Sequence, residues 1–158
     1  MVSQKPKFVP HVYGKISFSQ CTQEGWVNQY FIPKNDINIT EMLKVVHQEA
    51  GKTKKPKEFR AYAKNTENEE FLQDLANDLG TVIYAQSLDT CPERLFYRSG
   101  HVYPLVVKIT GQIEAKNEVQ GTFVHPDVAK HVLMWASPRF AITAIRTIDA
   151  VINGDFTP

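Results

Sequence analysis

Residues Asn38–Asn65 read NITEMLKVVHQEAGKTKKPKEFRAYAKN. Ile39, Leu43 and Val46 recur at helical spacing, Gly51 stops the pattern, and Phe59, Tyr62 and Ala63 resume it, so the stretch predicts a helix, a turn and a second helix. Asn38 with Glu41 three residues later has the form of a capping box opening the first helix. Pro56 suits the first turn of the second, where no intrahelical donor is lost. Between Lys44 and Lys64 there are seven cations, Lys44, Lys52, Lys54, Lys55, Lys57, Arg60 and Lys64, against two anions, Glu49 and Glu58: an excess of five within a chain of formal net charge +1. Helical phase puts Lys57, Arg60 and Lys64 on one face, opposite Phe59 and Ala63. A solvated helix face accounts for such a run equally well, but a local excess of this size next to a helix N-terminus favours a polyanion.

Working outward on the N-terminal side, Lys15–Thr22 alternates as a half-buried strand, and Trp26–Ile32 reads as an aromatic-rich second strand after a turn at Glu24-Gly25. Met1–Pro10, with two prolines and little pattern, reads as a loose arm. On the C-terminal side, Asn65 or Thr66 caps a third helix whose buried face is Phe71, Leu72, Leu75 and Leu79, ended by Gly80. From Glu67 to Glu93 the chain carries seven carboxylates and neither Lys nor Arg, an acidic block expected to face away from nucleic acid. Thr81–Leu88, Leu95–Arg98 and Val102–Ile109 are β-rich runs separated by turn signals. Gly111–Gly121 reads as a hairpin with its tip near Lys116-Asn117, followed by a short run to Val124. Two apolar helices close the chain, one opening at Pro126 and one at Ser137-Pro138.

Composition narrows the function further. With 158 residues and 42% hydrophobic side chains the chain is long enough for one sizeable core. Two cysteines, Cys21 and Cys91, are too few for a zinc finger or a disulfide scaffold and fit a reducing compartment. The first residues lack a signal-peptide core, and no run approaches the roughly 18 apolar residues of a membrane span, so a soluble intracellular protein is expected, with no membrane partner. No HExxH, paired CxxC, phosphate-cradling glycine loop or GxSxG is present. Neither an enzyme nor a cofactor is therefore expected. His125 and His131 with Asp127 do not share one helical face as metal ligands would, and Ser99 with His101 is a chance pairing.

Three pieces together resemble the KilA-N domain: the INITEMLK helix after a strand, the basic KTKKPKEFRAYAKN segment, and GTFVHPDVAKHVLMWASPRFA before a last helix. The most specific is Gly121-Thr122-Phe123-Val124-His125-Pro126 with Trp135 and Ser137-Pro138-Arg139-Phe140. That family occurs in large DNA viruses and phages and is similar to the APSES domain of fungal transcription factors. Where its members often carry a Trp after the basic turn, this chain has Tyr62.

The resemblance implies an α+β fold of winged helix-turn-helix character, a small, mostly antiparallel sheet with about five helices. It implies a loose arm over 1–13, the domain over 14–152 and a tail over 153–158. It implies duplex DNA as partner, with contacts from Lys52, Lys54, Lys55, Lys57, Arg60 and Lys64 and from the wing residues Lys116 and Gln120; the residues themselves add Lys44 to the basic excess and Gln112 and Asn117 to the polar side chains suited to phosphates and base edges. It makes His125 a residue that satisfies nearby backbone groups. If viral, the setting is the cytoplasm or nucleus of an infected cell. The rival expectation is a protein-interaction or homo-oligomerisation module in which the basic and acidic blocks serve a partner surface.

Overall fold

The computed structural model describes residues 5–13, 16–27, 30–50, 57–84, 104–109 and 121–153. The fold is α+β: among the described residues there are five helices and a five-stranded antiparallel sheet of order β1-β2-β5-β7-β6. Its strands are β1 (Lys7–Tyr13), β2 (Ile16–Gln23), β5 (Ile37–Asn38), β6 (Val106–Ile109) and β7 (Gly121–Val124). A separate ribbon pairs β3 (Gly25–Val27) with β4 (Tyr30–Ile32). The helices are α1 (Ile39–Ala50), α2 (Phe59–Lys64), α3 (Thr66–Leu79), α4 (Pro126–Ala136) and α5 (Pro138–Asn153).

Alternation along the strands divides the core in two. Ile16, Phe18, Val106 and Val124 point to the helical side and join the large cluster with α1, α2, α3, α4 and α5. Cys21, Val107, Ile109 and Phe123 point the other way and pack with Ile32 of β4 and Phe8 of β1. The Cys21 thiol is pushed up to about 12, chiefly by burial and then by Asp36, and stays protonated. Lys108 falls between Val107 and Ile109, so it points to the helical side, but from the last strand in the order of the described sheet, and it is exposed.

Several expectations are corrected. The loose arm is β1 from Lys7 onward: Pro10, which has no N–H to give, is tolerated because β1 lies at the edge, and Phe8 packs 5.2 Å from Phe123. Trp26–Ile32 is not one strand beside β2; it folds back on itself as β3 and β4, and β2 pairs with β1 and β5 instead. Of the expected buried face of α3, Leu72 is buried and Phe71 and Leu75 pack half-buried on the core, but Leu79 in the last turn is 44% exposed, and Asn68 and Ala76 complete the buried stripe. Residues Thr81–Tyr84 make no strand, only an isolated parallel bridge from Tyr84 to Val106. The second helix begins at Phe59, so Lys57 precedes it. The runs Leu95–Arg98 and Gly111–Gln120 lie outside the described residues, although the strands flanking the latter pair directly, Ile109 opposite Gly121.

A candidate nucleic-acid interface between α1, α2 and β6

The start of α1 is fixed by its neighbours in the sheet. Asn38 Oδ1 accepts from the N–H groups of Thr40 at 3.1 Å and Glu41 at 3.4 Å, which forms half of the expected capping box. The other half is diverted: Glu41 Oε1 accepts from the Ser19 N–H of β2 at 2.9 Å. Thr40 Oγ1 accepts from the Thr122 N–H at 3.0 Å, which ties the first turn of α1 to β7. Gly121, at φ +128°, completes the joint, because a Cβ there would stand 2.7 Å from Asn38 Oδ1.

Although α2 is only six residues long, it is held by aromatic contacts. Tyr62 is fully buried, with Phe59, His131 and Trp135 rings around it at centroid distances of 5.4, 5.6 and 5.7 Å. Tyr62 Oη and His131 Nδ1 are hydrogen-bonded, and Phe71 stacks on the His131 ring at 3.8 Å. Burial raises the Tyr62 phenol and lowers the His131 imidazole, so both stay neutral and the hydroxyl can donate to the ring nitrogen. With Phe59 and Tyr62 turned inward, Arg60 and Lys64 are turned out and exposed. The Lys57 ammonium donates to the Ala136 carbonyl at 3.0 Å and lies 5.2 Å from the Trp135 ring centroid, so it also closes the C-terminus of α4.

These pieces enclose a cleft of about 570 Å³ between α1, the start of α2 and the β6–β7 edge. Leu43 and Phe59 supply apolar lining, and Lys44, Lys57, Arg60 and Lys108 bring four cations against one carboxylate, Glu58. Among the described residues no ion pair engages Lys44, Arg60 or Lys108. His47 also lines the cleft, and its Nδ1 is buried with no hydrogen-bond partner among the described residues.

Three expected contacts, Lys44, Lys57 and Arg60, are thus brought together; Lys64 is on the same helix but does not line the cleft. Lys52, Lys54, Lys55, Gln112, Lys116, Asn117 and Gln120 lie outside the described residues. Sequence reasoning missed Lys108, whose signal was a lone cation alternating within VVKI at the end of a β-rich run. It also missed the cleft itself, which arises only when α2 packs on α1, already seated on β2 and β7.

At the other end of β7, His125 caps α4: its Nδ1 accepts from the Asp127 N–H at 3.0 Å, and Pro126 occupies the first helical position. Burial holds the His125 imidazole below its ordinary value, with Lys130 adding to this and Asp127 opposing it. The motif Gly121-Thr122-Phe123-Val124-His125-Pro126 therefore links the cap of α1, both faces of the sheet and the cap of α4 in six residues. The sequence model of the KilA-N domain matches residues 30–154.

This chain belongs to the KilA-N family. KilA-N is a family of DNA-binding domains rather than of enzymes. No curated protein and no solved structure matches the chain. The matched span starts at β4, so β1, β2 and β3 precede the part that the KilA-N model covers. Among the described residues no group of three His, Cys, Asp or Glu side chains is arranged to hold a metal. The Nδ1 atoms of His125 and His131 are already engaged by Asp127 and Tyr62. No described helix is long and apolar enough to cross a membrane.

Proposed function

We propose that the chain binds duplex DNA without chemistry, using the cations around the α1–α2–β6 cleft as phosphate contacts. The observation that carries this reading is the convergence of Lys44, Arg60 and Lys108 from three separate elements, with no ion pair among the described residues to neutralise them. Three like charges gathered on one side favour a polyanion, and the carboxylates of α3 are not among the described lining residues. On this reading Lys52, Lys54, Lys55 and Lys64 extend the phosphate track, and Lys116 continues it onto the β6–β7 connection. Lysine contacts position the protein; Arg60, Gln112, Asn117 and Gln120 are the side chains suited to base edges. The setting on this reading is intracellular, and a viral or phage origin fits the family's occurrence.

The test is fluorescence anisotropy of random-sequence duplex DNA over a range of salt, for the wild type and a Lys44→Glu, Arg60→Glu, Lys108→Glu triple variant checked by circular dichroism. Lys57 is left intact because it also holds Ala136. Binding should weaken steeply with salt in the wild type, and each lost phosphate contact should flatten the log–log slope by about 0.9. Failure of the wild type to bind even at low salt would overturn the proposal and favour a protein-interaction module.

A further inference from the structure

Two helix faces that the core leaves outside match each other. On α5 the buried residues Ala141, Ala144, Ile148 and Val151 fix the inner side, and helical phase then places Arg139, Ile142 and Arg146 together on the outer side. All three are exposed, Ile142 by 57%. On α3 the buried residues Asn68, Leu72 and Ala76 leave Glu67, Phe71 and Asp74 along one outer flank. Both carboxylates are exposed, and Phe71, stacked on His131, is half-buried. Among the described residues no ion pair engages Glu67, Asp74, Arg139 or Arg146. Each flank is thus two unpaired like charges with an apolar side chain between them.

Spacing selects how the flanks fit. On α3 there are four residues from Glu67 to Phe71 and three from Phe71 to Asp74; on α5 there are three from Arg139 to Ile142 and four from Ile142 to Arg146. The order is inverted, so an antiparallel pairing sets Glu67 against Arg146, Phe71 against Ile142 and Asp74 against Arg139 at once. A parallel pairing that matches the charges leaves Phe71 one residue, or about 100°, out of phase with Ile142.

We propose that the outer flank of α3 docks antiparallel on the outer face of α5 in a second copy of this chain, two salt bridges flanking one apolar contact. The occupant is a second copy because one chain carries both halves, complementary in charge, in apolar position and in register. Met134, 46% exposed, adds apolar area on the α5 side: Lys130 of α4 pairs with Asp149 of α5, and Met134 lies one turn nearer the bend between the two helices. A phosphate backbone also suits two arginines, but it gains nothing from the isoleucine between them. None of these residues lines the α1–α2–β6 cleft, so the same copy can hold DNA. One helix pair with two exposed ion pairs is a small interface, and the association is accordingly weak and salt-sensitive.

The test is sedimentation equilibrium of the full chain over a range of protein concentration, at low and high salt. One variant carries Glu67→Arg and Asp74→Arg, a second Arg139→Glu and Arg146→Glu, each checked by circular dichroism; all four residues are exposed. The wild-type mass should rise with concentration at low salt and fall back toward the monomer at high salt. Each variant alone sets like charges opposite one another and should associate at least about tenfold more weakly. An equimolar mixture restores opposite charges at every position and should recover the wild-type association. Ile142→Ser, which changes no charge, should weaken association severalfold, and it keeps the test open if a double variant fails to fold.

A wild type that stays monomeric at low salt overturns the proposal, and so does a mixture of folded variants that associates no better than either alone. Loss of duplex binding by the Arg139→Glu, Arg146→Glu variant with its self-association unchanged would assign the two arginines to DNA and overturn it as well.

Discussion

At the scale of single residues, the position with least freedom is Gly121. Its φ of +128° is one that side chains rarely adopt, and the space a Cβ would need is filled by the Asn38 amide that caps α1. Both effects act in the same direction. Gly121→Ala is expected to lower stability by about 1–3 kcal/mol from backbone strain, with about 1 kcal/mol more if Asn38 is driven off its cap. Urea unfolding monitored by circular dichroism measures it, and a loss below about 0.5 kcal/mol would refute this account of the joint. Tyr62 illustrates a different kind of legibility. Sequence comparison marked it only as standing where family members often have Trp, whereas the structure shows its hydroxyl to be engaged by His131, a use that a Trp ring nitrogen would have to meet in another geometry.

At the scale of elements, α2 is too short to be stable by its own hydrogen bonds and depends on what it packs against. Lys57 is one of its fastenings, tying the chain just before α2 to the last turn of α4. Arg60, three residues on, has no comparable hydrogen bond or ring contact among the described residues. The two cations should therefore separate experimentally. Lys57→Met is expected to reduce stability by about 1 kcal/mol, through loss of a charge-assisted hydrogen bond and an aromatic contact. Arg60→Met should leave stability within about 0.5 kcal/mol and weaken duplex binding instead. Thermal melts with anisotropy on both variants would show the division; an equal loss of stability in the two would disprove it. The helical spacing of Lys57, Arg60 and Lys64 suggested one equivalent face, and this was legible only in part, because periodicity does not reveal where a helix starts. The start at Phe59 leaves Lys57 outside the helix, where a carbonyl of α4 is within its reach.

At the scale of the whole molecule, buried titratable groups pull the stability in opposite directions with pH. Asp36 is buried, with Oδ2 unpartnered among the described residues, and desolvation raises its carboxyl well above the ordinary 3.8. Above that value the unfolded chain releases a proton that the fold retains. Stability therefore falls with rising pH, by about 1.4 kcal/mol per unit, until Asp36 ionises in the fold. His125 and His131 act with the other sign: both are held below 6.5, so as pH falls through that value the unfolded chain takes up protons first and stability is lost on acidification. Asp36→Asn removes only the first effect. Its stability advantage over the wild type should be small near pH 4 and grow toward neutral pH, as urea titrations across that range would record. A constant difference would mean that Asp36 is not carried protonated into the fold.

Much of this protein was determined by its sequence alone. The helices were legible because a one-sided apolar stripe at a period of 3.6 has few other solutions, and their ends followed from Asn38, Asn65, Gly80, Pro126 and Pro138, whose backbone preferences are local. Family membership was legible in the motif around Gly121 partly for a related reason: Gly121, His125 and Pro126 each meet a local demand, for a positive φ, a cap and a first-turn proline. Tertiary structure decided what depends on partners distant in the chain. A seven-residue aromatic run became two strands rather than one, and a proline-bearing arm became an edge strand because β2 had an open side to pair. Lys44, Arg60 and Lys108 met at one cleft through packing of α1 on β2 and β7 and of α2 on α1, an arrangement no local rule encodes, since side-chain chemistry is written residue by residue but proximity is a property of the packed chain.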